Sequence, residues 1–389
     1  MYNEEYVVVV LNKKTVQLSL DDFFSMSDEE WESKYKIYTR KDGKYTNTRT
    51  YVTKNAEKIF GNLSVPALIK ELHDFNEKHA ALFEKERSEL YHSFSIPKRS
   101  GGLRRIDAPK SELMDALREL KWIFEDGFGA MYHTSAFAYV KGRSTLDAVK
   151  RHQGNESKWF AKFDLHNFFG STTQDFVIKM FRKIYPFSRV INDENGNKEF
   201  EKAISLAFLN GGLPQGTPIS PLITNIMMIP IDYKLFNMFR KYDNRKFVYT
   251  RYADDFLISC KIDFSYKAIE NEIIGVLKEF GAPFELNVKK TRYGSSAGSN
   301  WNLGVMLNKD NQITVGYKNK KRFAAMIYSY AMDKKNNKLW TLNDVQVLDG
   351  YRNYYSMVEK EYITKMIIKT SEKTGVDIMK EIRNDLKTL

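Results

Sequence analysis

Residues 247–261 read Phe-Val-Tyr-Thr-Arg-Tyr-Ala-Asp-Asp-Phe-Leu-Ile-Ser-Cys-Lys. Two runs rich in β-branched and aromatic residues flank an Ala-Asp-Asp step, a pattern that predicts two antiparallel strands turning over near Ala253 and Asp254. Asp254 and Asp255 then stand side by side at a hairpin tip. Adjacent ionised carboxylates repel, and a hard divalent cation is the natural partner to offset their charge. Taken alone, the stretch also fits an ordinary Asp-Asp turn, so the choice falls to the rest of the chain.

Working outward, residues 158–166 (Lys-Trp-Phe-Ala-Lys-Phe-Asp-Leu-His) read as a strand with Asp164 near its C-terminal end. Ser171 with Gln174 makes a capping box for a helix after it. Residues 266–280 keep helical spacing, and residues 283–288 and 302–308 read as extended. The order is β-α-β-β-α-β, the split βαβ arrangement of ferredoxin-like domains. In that topology the first strand lies beside the hairpin, which brings Asp164 to Asp254 and gathers three carboxylates.

The inserted segment carries Asn195-Gly196, a signal for a polar hairpin or insertion. It then has a Gly/Pro-rich loop at residues 211–221 that feeds a helix through Leu222, Ile223, Ile226 and Met227, with Pro230 expected to kink it. Upstream, residues 94–109 predict a hairpin with Gly101 and Gly102 at its turn. Lys98, Arg99, Arg104 and Arg105 flank that turn, where cations on mobile backbone could close over a triphosphate or simply be solvated. Residues 111–128 are helical, and residues 136–145 form a loop into another helix. The first 62 residues read as a short strand, a helix capped by Ser27 and Glu30 ahead of Trp31, and a Lys/Tyr-rich loop at residues 41–50. A surface helix runs from Pro66 to about Leu90. From Tyr317 onward the chain is helical, with Lys318, Lys320, Lys321 and Arg322 at its start and Tyr351, Tyr354 and Tyr355 further on.

The chain has 389 residues with 61 Lys plus Arg against 49 Asp plus Glu, a net charge of +12, and 14% aromatic content. Cations meet phosphates and aromatic rings stack on bases, so this balance suits a nucleic acid partner. Cys260 is the single cysteine and the six histidines form no tight cluster, which argues against a disulfide framework and a structural zinc site. The N-terminus lacks a basic n-region, and the apolar run at residues 7–11 is too short for a signal or a membrane span. The chain reads as soluble and cytoplasmic.

Three boxes occur together: Tyr-Ala-Asp-Asp at residues 252–255, Phe-Asp-Leu-His-Asn-Phe-Phe at 163–169 and Leu-Pro-Gln-Gly-Thr-Pro-Ile-Ser-Pro at 213–221. In this combination the chain resembles the reverse transcriptases over roughly residues 94–308. The resemblance implies an α/β (α+β) right-hand polymerase with a ferredoxin-like palm, fingers and a helical thumb. Residues 1–92 would be an N-terminal extension and the start of the fingers, 93–157 fingers, 158–316 palm with the catalytic hairpin and primer grip, and 317–389 thumb.

It also implies an RNA-directed DNA polymerase using two Mg²⁺ ions, or Mn²⁺ in their place, about 3.5–4 Å apart. Asp164, Asp254 and Asp255 would hold them. By the same resemblance Phe169 is an aromatic gate against a 2′-hydroxyl, and Gln215 and Gly216 meet the incoming deoxynucleotide (dNTP) and the template backbone. Lys98 and Arg104, with Arg105 as the alternative, take the triphosphate. Lys290, with Lys289 as runner-up, protonates pyrophosphate, and Leu303-Gly304 lies in the primer grip.

Residues 302–309 and 313–320 are most similar to the unknown-group, defence-associated reverse transcriptases. Those enzymes are expected to make cDNA on a structured noncoding RNA in antiphage defence, without a membrane partner. The retron pattern departs at Asn302-Leu303-Gly304 and near Asp147-Ala148. Retron-type and group II intron-like enzymes, an RNA-binding splicing scaffold, and an RNA-dependent RNA polymerase are the alternatives; the short C-terminal part argues against intron mobility.

Overall fold

The computed structural model describes residues 6–11, 14–19, 39–41, 44–46, 65–97, 101–128, 132–242, 246–296 and 304–388. The expected capping box at Ser27 and Glu30 lies outside them, as do Lys98, Arg99 and Leu303. Strand β1 (Tyr6–Leu11) pairs with β2 (Lys14–Ser19), and β3 (Thr39–Lys41) with β4 (Lys44–Thr46), so part of the expected loop is a hairpin. Helix α1 (Val65–Lys78) ends well short of Leu90. His79 leaves helical dihedrals (φ −105°, ψ 19°), with its ring 4.8 Å from Phe75 and its Nε2 2.9 Å from Glu119.

Strands β5 (Tyr91–Pro97) and β6 (Leu103–Pro109) form the predicted basic hairpin. Gly101 and Gly102 sit in its turn at φ +86° and +78°. Helix α2 (Ser111–Trp122) runs on as a π-helical turn, and α3 (Thr145–Gly154) starts from a reciprocal capping box between Ser144 and Asp147.

The central sheet is built from β7 (Trp159–Asp164), β8 (Val248–Tyr252), β9 (Asp255–Cys260) and β10 (Arg292–Ser295). All neighbours are antiparallel and the spatial order is β10-β7-β9-β8, as a split βαβ unit requires. The fourth strand is not residues 283–288: there Leu286 makes one bridge to Leu165, and a 3₁₀ turn at Val288–Lys290 precedes β10. That turn carries Lys290 to the end of β7.

Between β7 and β8 lie α4 (Gln174–Phe181), α5 (Glu194–Ser205), α6 (Ser220–Met227) and α7 (Ile229–Lys241). Thr173, not Ser171, caps α4. Asn195-Gly196 is no turn but the first turn of α5, capped by Asp193. A Cβ on Gly196 would fall 2.2 Å from the Val190 carbonyl oxygen, so this glycine serves close packing. Pro230 stands in the first turn of α7, where its missing N–H costs no hydrogen bond, and the expected kink is a break between two helices.

Helix α8 (Tyr266–Phe280) returns the chain to β10. One face of the sheet, with Phe163, Phe256, Ile258 and Tyr249, packs into the main core with the helices. Alternation puts Asp164, Lys162 and Asp255 on the other face. Farther along that face His152 of α3 bridges Ser259 and Thr250 at 2.6 and 2.8 Å; burial pushes its pKa down to about 3 and keeps it neutral.

Strands β11 (Met306–Leu307) and β12 (Ile313–Thr314) lead into α9 (Tyr317–Lys335), α10 (Leu342–Thr374) and α11 (Ile378–Thr388), which share a separate core around Phe323, Ile327, Tyr330 and Ile363. Among the described residues no helix is long and apolar enough to cross a membrane.

Candidate active site

The β8–β9 register pairs Tyr252 with Asp255, leaving Ala253 and Asp254 as the two turn residues. Ala253 adopts φ +57°, a left-handed conformation that a residue with a Cβ takes only when its surroundings hold it. Asp164, last in β7, lies opposite Asp255, and the Leu165 N–H donates to the Asp254 carbonyl at 3.0 Å. The three carboxylates therefore meet at one end of the sheet, as the topology predicted.

Two lysines attend them. Lys290 Nζ donates to both oxygens of Asp164 at 2.8 and 3.1 Å, and Lys162 Nζ lies 2.7 Å from Asp255. Burial, then the charges of Asp255 and Asp164, pushes the Asp254 carboxyl up to about 6. Burial also raises Asp255, against the pull of Lys162. Among the described residues no three His, Cys, Asp or Glu side chains are already drawn into a cation cage. Two of the three acids are instead neutralised by ammonium groups, while the third bears the remaining repulsion. Hard oxygen donors with surplus negative charge fit a divalent cation such as Mg²⁺. Sequence reading missed Lys162, although its position two residues before Asp164 on a strand puts both on one face.

Beside the acids opens a cleft of about 600 Å³ whose walls include Arg104, Arg105, Phe169, Gln215, Asp254 and Lys290. Phe168 is buried against Phe284, whereas its half-buried neighbour Phe169 faces the cleft. The Gly/Pro-rich loop presses on this wall, with the Leu213 N–H donating to the Phe169 carbonyl at 2.9 Å. The Asp107 N–H donates to the Gln215 carbonyl at 2.8 Å, docking the basic hairpin on the same loop. Gly216 has φ +119°, and a Cβ there would sit 2.9 Å from Ile106 Cγ2. Arg105 is engaged by Asp107 at 2.8 Å, so of the two arginines Arg104 is the one without that tie.

A family profile described as reverse transcriptase (RNA-dependent DNA polymerase) matches residues 96–320, more than half of the chain. This chain belongs to the reverse transcriptase family. The enzyme is 29% identical over 285 residues to the retron Ec73 reverse transcriptase of Escherichia coli, covering 70% of this chain and 84% of that one. It is 28% identical over 299 residues to the retron Ec83 reverse transcriptase of the same organism, covering 75% and 90%. These matches run against the departure from the retron pattern expected at residues 302–304. Among solved structures, an apo telomerase from Candida Tropicalis truncated from its C-terminal domain aligns at TM-score 0.41 and 15% identity. That alignment covers 62% of this chain and 58% of the telomerase, so the reverse transcriptase spans little more than half its length. The family profile and the retron relatives together make this chain an RNA-directed DNA polymerase.

Proposed function

We propose that this reverse transcriptase makes cDNA on a dedicated structured noncoding RNA by two-metal nucleotidyl transfer, in the cytoplasm and in the service of antiphage defence. The convergence of Asp164, Asp254 and Asp255 beside the cleft carries the chemical part of this reading. The similarity of residues 302–309 and 313–320 to defence-associated enzymes supports the biological part. The retron relatives favour a retron-type role as the second reading. The subdomain boundaries at residues 92, 157 and 316 belong to the same proposal.

Mg²⁺, when bound by the three aspartates, would supply Lewis-acid stabilisation of the charge on the attacking and leaving oxygens. The chain's own groups do the rest. Arg104 and Lys98 bind the triphosphate, Gln215 and Gly216 form the floor under the nucleotide, and Phe169 excludes a 2′-hydroxyl. Lys290 is held protonated by Asp164, which raises its pKa. Released from that contact, it is placed to hand a proton to pyrophosphate.

The test is to purify the full chain from its native operon, sequence the nucleic acid that accompanies it, and supply Mg²⁺ with labelled deoxynucleotides. Label entering DNA complementary to one bound RNA is the expected result. A specific RNA bound without any incorporation favours the scaffold alternative. Loss of phage protection in an Asp254→Asn strain is expected if defence depends on synthesis.

Two further outcomes follow from the site. Replacing Phe169 by Ala is expected to raise ribonucleotide incorporation relative to deoxynucleotide by about tenfold or more; an unchanged ratio in competition assays removes the gate assignment. Cation binding should also depend on pH. Asp254 has a folded-state pKa above its ordinary value, so its contribution favours folding at low pH and is lost as pH rises through about 6. A divalent cation needs the ionised form, so Mg²⁺ should raise the melting temperature clearly at about pH 7.5 and far less at about pH 5. Equal shifts at both values would show that these carboxylates are not its ligands.

A further inference from the structure

Arg251 is completely buried, on the face of the sheet opposite Asp164 and Asp255. Its Nε and Nη2 donate to the two oxygens of buried Asp232 at 2.8 and 2.7 Å, and Tyr249 adds its hydroxyl to the same carboxylate at 2.7 Å. The remaining nitrogen, Nη1, donates to Asn225 Oδ1 and to the Ala253 carbonyl, each at 3.1 Å. Asn225 in turn donates to the Ala138 carbonyl at 2.8 Å. The Arg251 backbone grips the same segment: its N–H donates to the Ser135 carbonyl at 2.6 Å, and its carbonyl accepts from Phe137 at 2.9 Å.

One of these bonds ends on a strained position and another immediately before one. Ala253, immediately before Asp254, has φ +57°, and Tyr139, immediately after Ala138, has φ +59°. Tyr139 is 59% exposed, and the charges of Asp254 and Arg104 both act on its hydroxyl. Left-handed non-glycine residues persist where surrounding contacts over-determine them. A buried ion pair is an expensive way to fill space, since apolar side chains of the same volume are often at least as stabilising. What apolar side chains cannot supply is a set of donors directed at backbone carbonyls.

We propose that Arg251 is a positioning residue for the catalytic turn: clamped by Asp232, it holds the Ala253 carbonyl directly and the Ala138 carbonyl through Asn225. It thereby sets in place Asp254, which lines the cleft, and Tyr139, whose hydroxyl lies within reach of the Asp254 charge. This rests on the reading of Asp254 as a cation-binding acid. The role concerns turnover rather than substrate affinity, because Arg251 reaches neither nucleotide nor RNA from the far side of the sheet.

The experiment uses the full chain with poly(rA), an oligo(dT) primer, dTTP and Mg²⁺. Arg251→Lys keeps a charge for Asp232, but one ammonium cannot also serve Asn225 and the Ala253 carbonyl. The expected result is a kcat lower by about tenfold or more, with KM for dTTP within about threefold of the parent. Adding Ala253→Gly, which removes the strain that Arg251 holds, should recover about threefold or more of that loss. A folded Arg251→Lys protein with kcat within about threefold of the parent, or a loss that Ala253→Gly leaves untouched, overturns the proposal. Should Arg251→Lys unfold, the charge-free pair Asp232→Leu with Arg251→Met is read by the same two criteria. Asp254→Asn is the control. Activity surviving in that control overturns the acid assignment and this role together, whereas a dead control beside an unaffected Arg251→Lys overturns this role alone.

Discussion

Replacing Asp254 by Asn should leave the chain folded and able to bind RNA while lowering deoxynucleotide incorporation by about a thousandfold or more. Asn keeps the shape of the side chain and removes the charge a cation needs. The same substitution should make the metal-free chain more stable at neutral pH. Asp254 is pressed by Asp255 and Asp164 and sits in a partly desolvated turn that raises its pKa, so its ionised form works against folding. Lys162 and Lys290 make their ion pairs with the other two acids, and the charge of Lys290 offsets the rise at Asp254 only in part. Two measurements decide together: primer extension, expected to vanish, and thermal unfolding without divalent ions, expected to shift upward. An active variant would remove Asp254 from the site; a less stable one would contradict the charge balance described above.

Replacing Gly216 by Ala should cost about a hundredfold in kcat/KM for dNTP. The residue needs φ +119°, which side chains rarely adopt, and its Cβ would meet Ile106 Cγ2 at 2.9 Å and the Asp107 carbonyl oxygen at 3.1 Å. Ile106 and Asp107 belong to the strand that carries Arg104 and Arg105. Relief of the overlap moves the basic hairpin away from the loop and stretches the Asp107 to Gln215 hydrogen bond of 2.8 Å. Steady-state kinetics should show the loss mainly in KM, because the acids stand on β7 and the β8–β9 turn and not on the displaced hairpin. A full-strength enzyme would mean that the hairpin and loop separate during turnover anyway.

Arg251 and Asp232 bear on stability as well as placement. Breaking a fully buried pair by removing one partner typically costs about 3–5 kcal/mol, because the other charge is left unsolvated. That is why the conservative and the charge-free replacements, rather than alanine, separate positioning from folding.

Much of this protein was legible in the chain itself. Runs of β-branched and aromatic residues around Ala253-Asp254, the strand ending at Asp164 and the order of elements between them were enough to place three acids together, because strand pairing in a split βαβ unit follows from element order. The basic hairpin at Gly101-Gly102 was legible for the same reason, since its determinants are neighbours in sequence. Other features were decided only by tertiary structure. Gly196 reads as a turn glycine, yet it lies in a helix, because what it needs is room for the Val190 carbonyl of an adjoining segment. The fourth strand starts at Arg292 rather than at residue 283, because the chain first turns to set Lys290 on Asp164. The Lys162 to Asp255 contact and the clamp of Arg251, Asp232 and Asn225 join residues remote in sequence. Local propensity reports what a segment does with its own neighbours; which distant backbone or charge it meets is settled when the segments pack.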